Sequence, residues 1–204
     1  MTITILGTNH LMSKEEIYEL IKKSKPQVIA VELCQTRYDL MVLPIINNVP
    51  LVESVNNTDN GLISQISNAV RDKVKKENLQ YGSDQINSCI YAVENKIPLE
   101  FVDLDIMRTK ELMDKIPQSE KEGFFKELIE FQNKPITELV KDVDEEEILK
   151  KLKVMYPIAY EFLITIRDLY LLSSVLKLEK KYHNKRILVI VGKGHKKFLE
   201  ENLK

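Results

Sequence analysis

The chain is predicted to be an α/β domain. Its core is a mixed, mainly parallel central sheet with flanking helices and a large helical insertion before the last strand. Three observations carry that expectation. Runs rich in β-branched residues stand at "TITIL", "VIAVEL" and "ILVIV", and the continuous apolar run in "VIAVEL" suits a strand covered on both faces. A capped helical stretch separates the first two runs, as in a βαβ unit, whose crossover is right-handed. The runs cluster at the two ends of the chain, and Ile106 to Lys180 between them is patterned as helix.

Taken in order, Thr2 to Leu6 is the first strand, closed by Gly7. Ser13 with Glu16 three residues on makes a capping box, opening a helix that runs to about Ser24, where Pro26 stops it. Val28 to Leu33 is the second strand. Cys34 to about Leu43 reads as helix, and "PIINNVPLVESVNNTDNG" is rich in turn residues. A helix is expected from Leu62 to about Leu79, and another from Ser83 to Asn95 after Gly82. Ile97 to Asp105 is the third strand. Ser119 and Glu122 suggest a further capping box, and Pro135 and Pro157 interrupt the helical block. Arg186 to Val191 is the last strand, followed by a short helix.

The 204 residues suffice for one domain with a real core. Apolar residues at 44% and charged residues at 30% describe a folded globular chain. A net charge of −1 gives no basic field to attract nucleic acid. The two cysteines, Cys34 and Cys89, form no CxxC pair, so a thiolate zinc site is not expected. The start, "MTITILGTNH", has no basic region followed by a long apolar one. No run of about 18 apolar residues offers a membrane span. A reducing cytoplasmic setting is expected.

The chemistry concentrates at the two ends. "LGTNH" and "VGKGH" each place a Gly-x-x-His after a strand, in a chain with three histidines. Ligands bind at the carboxyl edge of open parallel sheets, so His10 and His195 can meet at one rim. Each could equally close an ordinary turn. "GKG" lacks the spacing of a phosphate loop or a dinucleotide fingerprint. Glu32 interrupts "VIAVEL", and a buried carboxylate needs a partner. Arg37, one turn into the next helix, is the nearest one in sequence. Asp103 and Asp105 end the third strand at the same rim, or cap the following helix. Arg167 and Asp168 break the apolar stretch "AYEFLITIRDLYLLSSVL". Arg167 could bond a site carboxylate and Asp168 could orient a histidine, or one could face solvent while the other pairs locally. His10, His195 and Glu32 suit a metal site of two histidines and a carboxylate, or metal-free acid–base work. Cys34, beside Glu32, could be an activated thiolate or a small buried side chain.

"GTNH", "VIAVELCQTRYDL", "YGSDQINSCIYAVENKIPLEFVDLDIMRT", "IRDLYLLSSVL" and "VIVGKGH" occur in an order that resembles the TraB/PrgY family across nearly the whole chain. That family is similar to a wider group with Tiki proteases, EreA-type esterases and ChaN-like proteins. The resemblance implies a single TraB-like domain over 1–204, with 106–180 a helical insertion or lid. It implies His10, Glu32 and His195 as metal and catalytic residues, and a divalent ion such as Zn, Mn or Co. Arg37, Arg167 and Asp168 match charged positions of the family. Asp84 stands where the family has glutamate, and Asp103-Leu104-Asp105 stands where it has "DRD". The function expected is therefore a metal-dependent hydrolase, acting on peptides. The alternative is a non-catalytic protein that binds or sequesters a peptide or small ligand. A haem or iron binder is a third reading, by analogy alone. A homodimer would be consistent with the apolar residues of 106–180.

Overall fold

The computed structural model describes residues 2–49, 82–133 and 145–203. The helix expected from Leu62 to about Leu79 and the break at Pro135 lie outside the described residues. The described residues fall into two compact units. A sheet unit takes 2–49, 82–106 and 167–203, and a helical unit takes 107–133 and 145–166.

The sheet unit begins with β1 (Thr2–Thr8), α1 (Lys14–Ser24), β2 (Val28–Val31), α2 (Gln35–Met41) and α3 (Leu43–Ile46). After the second described stretch opens come α4 (Ser83–Glu94) and β3 (Leu99–Phe101). Ser13 caps α1: its side chain accepts the Glu16 N–H at 3.2 Å, and Glu16 accepts the Ser13 N–H at 2.8 Å. Lys25 ends the helix in the left-handed region at φ 46°, and Pro26 prevents its continuation.

The strands lie in the order β1, β4 (Arg186–Gly192), β2, β3. Every pairing is parallel, so the mixed, mainly parallel sheet expected is wholly parallel among the described residues. The last strand enters between the first two. Thr8 is level with Gly192, and Val31 is level with Ile190 and Phe101. All four carboxyl ends therefore reach the same rim.

Each face of the sheet is covered, which is why β2 and β4 read as unbroken apolar runs. Ile29, Val31, Leu188 and Ile190 pack with Ile17 and Ile21 of α1 and with Ile86, Cys89 and Ala92 of α4. The alternate residues Val28, Ala30, Ile187, Val189 and Val191 pack on the other side with Leu171, Val175, Leu178 and Leu199.

The helical unit holds most of α5 (Ile106–Asp114), then α6 (Gln118–Asn133), α7 (Glu145–Met155) and α8 (Pro157–Tyr160). Met113, Ile116, Tyr156 and Ala159 form its buried cluster. Helix α6 begins before Ser119, and the Pro117 carbonyl accepts the N–H groups of Glu120 and Lys121, both at 3.1 Å. Ser119 is thus inside the helix and does not cap it. Glu120 instead accepts the N–H groups of Ile158 and Ala159, at 3.3 and 2.9 Å. These are orphan donors at the start of α8.

A π-helical turn, Glu161–Thr165, leads into α9 (Ile166–Lys181). From Arg167 onward this stretch of 106–180 belongs to the sheet unit. Asp168, Leu171, Val175 and Leu178 are its buried residues and share one helical face. The final helix, α10 (Lys193–Asn202), starts directly after β4. No helix among the described residues is long and apolar enough to cross a membrane.

Candidate functional site

The site lies in the sheet unit, where β1, β2 and β4 end together. Glu32 directly follows β2 and donates its backbone N–H to the Ile190 carbonyl at 2.9 Å, which fixes it beside β4. Its side chain is 3% exposed, so its charge must be answered inside the protein. Arg167 donates to Oε1. The Gly192 N–H donates to Oε2 at 2.6 Å. The partner nearest in sequence, Arg37, does not take this place. It reaches Asp103 at 3.3 Å and Gln85 at 3.4 Å instead. Arg167 wins because α9 carries it to the rim together with Asp168.

His10 follows β1 with a left-handed backbone, φ 62°. Few residues with a side chain adopt that region, and it recurs at functional turns. Its carbonyl accepts the Gly82 N–H at 2.8 Å, joining the turn to the start of α4. From there Asp84 meets the His10 Nδ1 at 3.3 Å. His195 is in the first turn of α10, and its Nδ1 lies 2.7 Å from Asp168 Oδ1. A carboxylate only accepts, so each pair puts the proton on Nδ1 and leaves Nε2 for whatever the ring faces. The Nε2 of His195 is 3.6 Å from Glu32 Oε1, too long for a hydrogen bond. The Nε2 of His10 lies by Gly192: a Cβ on that glycine would stand 2.8 Å from it and 3.4 Å from Glu32 Oε2.

Asp103 binds Arg167 in two-pronged fashion, Nε at 3.0 Å and a terminal nitrogen at 2.9 Å. His10, Glu32, His195, Arg37, Asp84, Asp103, Arg167 and Asp168 are thus linked at one rim. Asp105 stands apart. It is exposed and accepts the Thr36 hydroxyl at 3.1 Å. Cys34 and Cys89 are free and buried. Burial, with Asp84 nearby, pushes the Cys89 thiol up to about 12, which removes it as a nucleophile.

Two members of the cluster escape a reading of the sequence. Thr8 is buried, donates to Asp84, and lies 3.2 Å from the Val191 carbonyl. Gln85 donates to the Glu32 carbonyl at 2.9 Å. The available signals were a hydroxyl at the end of an apolar strand, and an amide beside Asp84 in "SDQIN".

The electrostatics follow from burial and pairing. Burial alone would raise the Glu32 carboxyl. Arg167, then His195, His10 and the Gly192 N–H, outweigh it and hold the group down to about 2. Burial alone would lower His10. The hydrogen bond and charge of Asp84, with the charge of Glu32, raise it above its ordinary value, and Arg37 works against them. Arg167 is raised by Asp103 and Glu32 despite the opposing effect of burial.

Glu32, Asp84, Asp103 and Asp168 are four buried carboxylates. Arg37 and Arg167 answer two of them. Two imidazolium ions or one divalent cation would balance the remaining two negative charges. Among the described residues no group of three ligand side chains is already gathered at a metal position. The donor chemistry still fits a divalent ion. Both histidines are held through Nδ1 by carboxylates, as metal-bound histidines are. Asp84 Oδ1 is buried without a hydrogen-bond partner. No protein-family model and no curated protein matches this chain.

Proposed function

We propose that this chain is a hydrolase of the TraB/PrgY kind, acting on peptide bonds at the rim that joins His10, Glu32 and His195. The observation that carries the reading is a pair of histidine–aspartate couples, His10–Asp84 and His195–Asp168, on either side of one buried glutamate. Each aspartate fixes the tautomer and orientation of its ring. His195, held at 2.7 Å by Asp168, takes a proton from water. His10, with its raised pKa and partly exposed ring, holds a proton for the departing amine. Glu32 and Arg167 set the field between them. In the metal form the two rings would give up these proton roles: His10, His195 and Glu32 would hold a divalent ion, which would acidify a bound water and polarise the carbonyl.

The testing experiment is metal analysis of protein purified without chelator, for wild type and His10→Ala/His195→Ala, with a peptide panel read by mass spectrometry. Metal bound by wild type and lost in the double variant supports the metal form. Equal, negligible metal in both removes it. Absence of cleavage across the panel removes the hydrolase.

One observation favours a binding protein without turnover. Both oxygens of Glu32 are already occupied, by Arg167 and by Gly192. That reading predicts saturable peptide binding that survives chelation, seen by thermal shift. Cleavage abolished by Glu32→Gln would exclude it as a complete account. Two free thiols agree with a reducing cytoplasm. The exposed Ile148, Val154, Met155 and Ile158 offer a surface for a homodimer, which light scattering would detect.

A further inference from the structure

The two arginines of the site are committed very differently. Arg167 makes its bonds to Asp103 at 3.0 Å or less, and it also holds Glu32. Arg37 makes two bonds at the long end of the range. One is 3.3 Å to an Asp103 oxygen that Arg167 already holds at 2.9 Å. The other is 3.4 Å to Gln85, a neutral amide. Gln85 is itself locked, because its nitrogen donates to the Glu32 carbonyl at 2.9 Å and its oxygen is thereby turned to Arg37. It orients the guanidinium without cancelling its charge. A guanidinium carries five N–H donors, and these contacts use two of them weakly. Arg37 is partly exposed, and its charge is felt at His10.

We infer that Arg37 is the substrate anchor of this site, and that the ligand it takes carries a carboxylate close to the group presented to His10. The planar fork of spare N–H donors matches a carboxylate in two-pronged geometry. A phosphate would bring about twice the negative charge of a carboxylate to a rim where Glu32, Asp84, Asp103 and Asp168 already outnumber the two arginines. For a peptide, the carboxylate is the C-terminus or an acidic side chain. The inference rests on the reading of this rim as a peptide site, and it does not require turnover.

The test uses the full chain and three capped peptides of equal length. One ends in a free carboxylate. The second is its C-terminal amide. The third is an amide whose last side chain is aspartate. Binding is read by calorimetry and cleavage separately by mass spectrometry. Wild type should favour a carboxylate peptide over the plain amide by about ten-fold to a hundred-fold. Arg37→Met should erase the preference, and Arg37→Lys should restore part of it. Preference for the first peptide identifies the C-terminus, and preference for the third identifies the side chain. Carboxylate-selective binding without cleavage upholds the anchor and removes the hydrolase. Cleavage of all three peptides with equal efficiency removes the anchor and leaves the hydrolase. No binding of either carboxylate peptide by wild type, or a preference that persists in Arg37→Met, overturns the inference.

Discussion

The imidazole of His10 lies where a side chain at Gly192 would have to go: a Cβ there would stand 2.8 Å from Nε2. The first Gly-x-x-His therefore depends on the glycine of the second. The backbone φ of Gly192 is −58°, so the glycine is needed for space and not for conformation. Gly192→Ala should push the His10 ring aside and strain its contact with Asp84. The expected cost is about 1–3 kcal/mol in urea unfolding, as for other overpacked sites. The His10 ring resonances should move in NMR spectra while those of the distant His183 stay in place.

Glu32 and Arg167 form a buried pair, and Asp103 shares the guanidinium, so removing Arg167 should hurt more than removing Glu32. Glu32→Gln should destabilise the fold by about 3 kcal/mol or more, because Arg167 loses a charge that answers it. Glu32→Gln combined with Arg167→Met should be more stable than the sum of the single effects predicts. A double-mutant cycle by chemical denaturation measures that coupling. Additive losses would show that the pair does not act as a unit.

The Glu32 carboxyl also sets an acid limb of stability. Its folded value, about 2, is below the ordinary 4.5. A depressed carboxyl contributes stability that is fully present above pH 4.5 and is lost as pH falls through the folded value. The contribution is about 3 kcal/mol by linkage. Wild type should lose it between about pH 4.5 and 2, and Glu32→Gln should not.

His10 works in the opposite sense. Its folded value is raised above 6.5, so its contribution is fully present below pH 6.5 and is lost as pH rises through the folded value. His10→Gln should flatten the alkaline side of the stability profile near neutrality, measured by unfolding across a pH series.

Asp168 positions His195 and makes no contact with the rim's ligand in the proposed reaction. Asp168→Asn presents an amide to Nδ1 and permits the wrong tautomer. Turnover should fall by about a hundred-fold or more with KM little changed, since the loss is of orientation in the transition state. Equal loss in KM would point to a binding role instead.

Much of the scaffold was legible because it rests on local rules. Ser13 and Glu16 name their own cap. The runs around Val28 and Val189 declare strands covered on both faces. Ser119 and Glu122 carry the same signature as Ser13 and Glu16, yet Pro117 takes the capping place. Local pattern alone does not say which of two residues so close in sequence starts a helix. The acids and bases of the rim could be named because polar residues inside apolar runs require a partner.

The sequence by itself determined the α/β class, the presence of four strands and the roster of charged residues that burial would force together, though the third strand, expected over Ile97 to Asp105, forms over Leu99–Phe101. It did not determine the pairings. Arg37 is five residues from Glu32 and does not hold its side chain, while Arg167 lies far along the chain and does. Only the tertiary structure decided this, by inserting β4 between β1 and β2 and laying the first turn of α9 at the rim. A buried ion pair forms between the charges that packing brings within contact, and separation along the chain has no part in that choice.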